Sequence, residues 1–205
     1  MRGVKAVAID ATELRFMNSP LKVLMQRYFE FPIFKRFLSS CSVDLSNKAI
    51  LEVGCGSGYG LELLYKEFRP SKLVAFDILP DQVALARSRR LPAKVFIGSV
   101  LDISLPSDTF DAVFIFTVFH HVEGWRDAFK ELNRILKPNG VLLVNELSKR
   151  SLDRIERFLK VKHPKMSRFS WKEFREGLIS TGFRIVREKM ILKDFGFFMC
   201  IKVPF

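Results

Sequence analysis

The chain has 205 residues, enough for one domain with a full core, and no apolar run approaches the roughly 20 residues that span a bilayer. A hydrophobic fraction of 48% and a charged fraction of 27% are those of an ordinary soluble globular protein. The net charge of +12 predicts attraction to something anionic, whether nucleic acid, membrane surface or acidic substrate, without choosing among them. The three cysteines, Cys41, Cys55 and Cys200, are widely spaced. They suit a reducing compartment and form neither a disulfide framework nor a metal site. The apolar patch in the first ten residues is too short for a signal sequence, so a cytoplasmic chain is expected.

In chain order, residues 1–13 show little pattern and read as an arm. Asn18-Ser19-Pro20 is a helix start, a polar cap followed by proline at the first helical position. Leu21, Leu24, Met25, Tyr28 and Phe29 then fall at the spacing of one apolar helix face, and Pro32 to Ser39 makes a second short helix. Residues 1–44 thus form a helical cap that covers a sheet edge or acts as a lid. From Lys48 strands and helices alternate. Strands are expected at 48–53, 72–77, 94–98, 110–117 and 141–146, with helices at 58–68, 80–90 and 125–136. Near-continuous apolar strands joined this way predict a doubly wound α/β sheet, mostly parallel and covered on both faces. Ser170-x-x-Glu173 is a capping box that opens a helix to about Thr181, which Gly182 stops. Phe183–Leu192 and Phe195–Val203 are strand-like and so close in sequence that they pair antiparallel.

Chemistry concentrates in Leu51-Glu52-Val53-Gly54-Cys55-Gly56-Ser57-Gly58-Tyr59-Gly60. A strand that breaks into glycines and opens a helix lets the backbone approach a ligand and points free N–H groups at it. The dinucleotide fingerprint G-x-G-x-x-G is not met, because Tyr59 stands where its third glycine belongs. Glu52 at the strand end would also repel a pyrophosphate. Cys55 reads as a small residue filling a tight turn. Asp77 ends the second strand, where an acid in such folds accepts hydrogen bonds from ribose hydroxyls.

This pattern resembles motif I of the class I methyltransferases that use S-adenosylmethionine (SAM), hydrophobic-(D/E)-x-G-x-G-x-G. Three further stretches strengthen the resemblance. They are Gly98 to Asp111, Phe116-Thr117-Val118-Phe119-His120-His121-Val122, and Glu131 to Gly140. Together they are similar to the methyltransferase type 11 group, which includes enzymes like those of ubiquinone and menaquinone biosynthesis. The resemblance implies a single domain over 1–205 with a seven-stranded sheet in the order 3-2-1-4-5-7-6 and an antiparallel C-terminal hairpin strand. It implies SAM as cofactor, S-adenosylhomocysteine as product, and a SAM site built from Glu52, Gly54, Cys55, Gly56, Ser57, Gly58, Asp77, Ile78, Ser99, Val100 and Phe116. Asp77 would bind the ribose, Ile78 the adenine face, and Ser99 with the Val100 N–H the adenine amino group, where the family usually has an aspartate. Asp102 is the other candidate for that last contact.

Methyl transfer needs two reactants held in line, and a base only if the nucleophile arrives protonated. His120 and His121 are candidate bases, although the family carries this pair across unlike substrates, which also fits a structural role. Tyr28, Thr117 and His120 are candidate substrate contacts; for Tyr28 the alternative is core packing. No metal is expected. The segment 149–169 reads as a basic lid whose amphipathic helix places Leu152, Ile155, Phe158 and Leu159 on one face. It is a solvated surface, a draw for an anionic substrate, or a peripheral contact with an anionic membrane. The leading function is methyl transfer to a small-molecule or lipid-like acceptor. RNA is the runner-up partner, and a non-catalytic SAM-binding protein is the second alternative.

Overall fold

The computed structural model describes residues 11–159 and 167–204. Strand β1 (Ala49–Val53) is buried at every position and lies parallel between β2 (Lys72–Asp77) and β4 (Phe110–Phe116). With β3 (Lys94–Ile97), β5 (Leu136–Leu147), β6 (Phe183–Ile191) and β7 (Phe195–Lys202), it forms one seven-stranded sheet in the order β3-β2-β1-β4-β5-β7-β6. β7 runs antiparallel to both β5 and β6. The topology is the one the resemblance implied.

Successive side chains alternate across a strand, so β1 feeds two cores. Leu51 and Val53 join Phe129, Leu132, Phe174 and Leu178 on one face. These four come from α6 (Trp125–Ile135) and α8 (Trp171–Ser180). Ile50 joins Phe34, Leu61, Leu64 and Phe114 on the other face, under α3 (Phe31–Ser40), α4 (Tyr59–Phe68) and α5 (Pro80–Ser88). Much of the large phenylalanine complement is spent here, as Phe34 meets Phe114, Phe116 and Phe197 with ring centroids 5.4–6.0 Å apart.

The N-terminal region departs from expectation. Residues 11–13, expected in the arm, are helical (α1, Ala11–Met17), and residues 1–10 lie outside the described residues. After α2 (Pro20–Met25) the chain widens into a π turn at Gln26–Glu30 before α3. Pro32 has no N–H to donate, and the Phe31 N–H reaches back five residues to the Gln26 carbonyl. The wider turn rotates the inward face. Gln26 and Glu30 are buried, while Leu21, Leu24 and Tyr28 of the expected apolar face are exposed.

Gly60 shows how tightly this region packs. A Cβ there would lie 1.9 Å from Glu52 Oε1 and 2.7 Å from Gln26 Nε2. In an open helix, glycine to alanine gains about 1 kcal/mol. Here Gly60→Ala is expected to lose about 1–3 kcal/mol through overpacking, and a thermal melt checks the sign: Tm should fall.

Candidate active site

The loop after β1 places three glycines in the left-handed region, Gly54 at φ 66°, Gly56 at 50° and Gly58 at 79°. Gly54 and Cys55 donate their N–H groups to the Phe76 carbonyl, which ties the loop to the end of β2. Val118, two residues beyond β4, sits on the loop: a Cβ on Gly54 would lie 2.5 Å from its Cγ2. Asp77 connects directly to the same loop. Its Oδ2 accepts the Gly56 N–H at 2.8 Å and its Oδ1 accepts the Leu79 N–H at 3.0 Å. Burial raises its pKa, opposed by these backbone donors. Ser57 offers its carbonyl to Arg89 Nε at 2.6 Å. Cys55 is buried, and burial followed by the nearby Glu52 and Asp77 push its thiol far up, so it is inert packing.

Glu52 points beneath the loop toward Gly60 and Gln26 and is almost fully buried. Its pKa is raised well above the usual range, first by burial and then by Asp77. Glu30 is likewise raised by burial, although Lys22 Nζ donates to it at 2.7 Å. Among the described residues, Glu52 Oε2, Glu30 Oε2, Gln82 Oε1 and Asn145 Oδ1 are buried oxygens without a hydrogen-bond partner. All four can accept a hydrogen bond, and Gln82 Oε1 faces Gly56. Orphaned acceptors around an acid-rich loop suit a ligand that brings donors and positive charge. SAM does so through its ammonium, ribose hydroxyls and sulfonium.

The other expected residues divide. Ile78 follows Asp77 and is partly buried. Ser99 Oγ accepts the Leu101 N–H at 3.2 Å, Val100 is in the core, and the Asp102 side chain is exposed. Glu131 and Arg134 staple the loop after β3, with Glu131 accepting the Ile103 N–H and Arg134 donating to the Ile103 and Leu105 carbonyls. Phe116 is buried against Phe34 and Phe114. Thr117 is held at φ 62°, a strained value for a β-branched residue, by its N–H to the Asn145 carbonyl and by Asn145 Nδ2 to its Oγ1. Tyr28 is 67% exposed and its ring lies beside Arg27.

His120 and His121 form a short turn after β4 and are brought together with two acids that sequence reasoning missed, Glu13 and Glu146. His120 Nδ1 lies 2.7 Å from Glu146 Oε1, and Glu146 also accepts the Phe119 and Leu147 N–H groups. Burial lowers the His120 pKa, but Glu146 and Glu13 outweigh it and push it up to about 9. With no cation bound beside it, this favours an imidazolium near neutrality. His121 is lowered, by burial and then by His120. An acid inside the apolar run Val144-Asn145-Glu146 was the one signal that could have pointed to Glu146; Glu13 offered none.

Helix α7 (Lys149–Leu159) forms as expected. Its acids are engaged locally, Asp153 by Lys149 and Arg168 and Glu156 by Arg168; Arg150, Arg154 and Arg157 are exposed, the first two beside Asp194. A cavity of about 400 Å³ lies beside it, away from the glycine loop, lined by residues that include Lys149, Arg150, Phe169, Trp171 and Lys193. His163 and the side chains of Phe158 and Leu159 lie outside the described residues.

Residues 51–144 match the family described as a methyltransferase domain. This part of the chain is similar to a methyltransferase domain. It is 31% identical over 110 residues to a fatty-acid O-methyltransferase of Mycolicibacterium smegmatis, covering 53% of this chain and 40% of that one. It is 29% identical over 106 residues to a malonyl-[acyl-carrier protein] O-methyltransferase of Serratia marcescens, covering 52% and 41%. The match thus spans about two fifths of the length of these relatives. The fold is shared with a SAM-dependent methyltransferase from Aquifex aeolicus, at TM-score 0.74 and 22% identity over 96% of this chain and 100% of the other. No helix among the described residues is long and apolar enough to cross a membrane.

Proposed function

We propose that the chain transfers a methyl group from SAM to an oxygen of a small, lipid-like acceptor. The observation that carries this reading is the direct coupling of Asp77 to the glycine loop, under buried acceptors that lack partners. When bound, SAM supplies an electrophilic methyl group. The protein's part is to hold and orient. Glu52 and the loop from Gly54 to Gly58 would receive the amino-acid end, and Asp77 the ribose. Ile78, Ser99 and Val100 would flank the adenine. Thr117, His120 and His121 border the place where the acceptor enters, at the carboxyl ends of the strands.

An oxygen acceptor is supported by the two relatives, whose names are those of O-methyltransferases. A lipid-like acceptor is supported by the exposed Phe16, Leu21, Leu24 and Tyr28, which leave apolar surface on the N-terminal helices. An acceptor carboxylate needs no base. The basic helix α7 then serves as a lid that attracts the acceptor's negative end or an anionic bilayer.

Two measurements test the finer points. Product labelled from SAM should lose its label under mild alkali if the acceptor is a carboxylate, because the product is then an ester; an alkali-stable label in a hydroxylated acceptor would place the methyl on an ether instead. Binding to anionic vesicles should weaken with salt and with Leu21→Ser plus Leu24→Ser. Equal binding to zwitterionic vesicles, or no change in the double variant, would remove the membrane contact.

A further inference from the structure

We infer that Glu13, His120 and His121 form a binding site for a divalent transition-metal ion of the zinc class, at the acceptor side of the glycine loop. One carboxylate oxygen and two imidazole nitrogens converge here from separate parts of the chain. Glu13 Oε1 is 3.0 Å from His121 Nε2 and 3.5 Å from His120 Nε2, and the three ligand atoms all lie within 4.8 Å of one another. Zn–N and Zn–O bonds of about 2.0–2.1 Å in a tetrahedron put ligand atoms roughly 3.3–3.4 Å apart. The observed separations bracket that edge, so an ion enters with small side-chain shifts.

A carboxylate shared by two histidines also occurs as plain hydrogen bonding. The second layer separates the two cases. Glu146 engages Nδ1 of His120, which turns Nε2 toward Glu13. Glu146 is itself fixed by the N–H groups of Phe119 and Leu147. A carboxylate behind a ligating histidine, itself anchored, sets ring orientation and raises ligand basicity at metal centres. His120 is buried and the Glu13 and His121 side chains are only 11% exposed, so the ligand set is shielded from water. Two imidazoles and one carboxylate select zinc, iron, nickel or copper over calcium or magnesium.

Among the described residues three ligands converge, and a three-ligand set with an open position is the arrangement of catalytic rather than structural sites. An oxygen of the acceptor would complete the shell, which would fix its orientation toward the methyl donor. That assignment of the fourth ligand rests on the oxygen-acceptor reading; the three-ligand site does not.

Cobalt(II) is the probe, since its visible absorption reports tetrahedral nitrogen and oxygen ligation. The full chain, stripped with chelator and dialysed, is titrated with Co²⁺ alone. We expect one equivalent to bind with strong visible bands, and Glu13→Gln and His121→Asn each to weaken binding by at least about 10-fold, the lower end of what even outer-shell changes cost. Circular dichroism and SAM calorimetry on the same samples show whether the variants fold. Wild-type protein that binds SAM but gives no cobalt absorption overturns the metal site and leaves the methyltransferase reading intact. Absorption that survives unchanged in both folded variants overturns it as well. Cobalt bound as expected without any SAM binding would keep the metal site and remove the proposed donor site.

Discussion

Replacing Asp77 by alanine is expected to weaken SAM binding by about 10- to 100-fold, the loss of one hydrogen bond to a charged group at roughly 1.5–3 kcal/mol. The substitution acts twice. It removes the carboxylate that would accept the ribose hydroxyls, and it releases the Gly56 N–H from Oδ2 and the Leu79 N–H from Oδ1. The chain should still fold, because burial already raises the Asp77 pKa and no buried cation is left unpaired by its removal. Asp77→Asn keeps one acceptor oxygen and should fall between wild type and alanine. Calorimetry on the three proteins orders them. Equal affinity in wild type and Asp77→Ala would move the SAM ribose away from this loop.

Glu146→Ala should destabilise the fold more than Gly60→Ala does, by about 3–5 kcal/mol, the cost of removing one partner from a buried pair. Glu146 is fully buried and takes bonds from His120, Phe119 and Leu147 at once. Without it, His120 loses the carboxylate at its Nδ1, and the Phe119 and Leu147 N–H groups lose their acceptor. The turn after β4 would lose its fixed conformation, and with it the packing of Val118 on Gly54. Arg126→Ala is the control. Its pair with Glu173 is about half exposed at 3.8 Å and should contribute within about 0.5 kcal/mol. Urea unfolding in the presence of chelator compares them. A loss below about 1 kcal/mol for Glu146→Ala would mean that water replaces the carboxylate and that the turn is not held by it.

The sheet was readable because its rules are local. Ile50, Leu51 and Val53 make an apolar strand wherever they fall, glycines at 54, 56 and 58 demand a left-handed loop, and two strands separated only by the turn at Leu192 and Lys193 must pair antiparallel. Asn139, before Gly140, takes the left-handed conformation at φ 63° that asparagine tolerates. The Ser170–Glu173 capping box forms in both directions.

The parts that set chemistry were less legible because they depend on contacts distant in sequence. Periodicity put Leu21, Leu24 and Tyr28 on one apolar helix face, but across the π turn before Pro32 they are exposed and Gln26 and Glu30 are buried. The His120-His121 pair was visible, yet its electrostatics come from Glu13, far earlier in the chain, and from Glu146 on the next strand. The E-x-x-R segment matched a family motif without explaining itself. In the structure Glu131 and Arg134 pin the loop that follows β3.

The most direct measurement is transfer of labelled methyl from SAM, with metabolite, lipid and RNA fractions offered as acceptors and Asp77→Ala run alongside. Label should appear in the solvent-extractable lipid or small-molecule fraction and be lost in the variant. Label in RNA, or SAM binding with no label in any fraction, would contradict methyl transfer to a lipid-like acceptor.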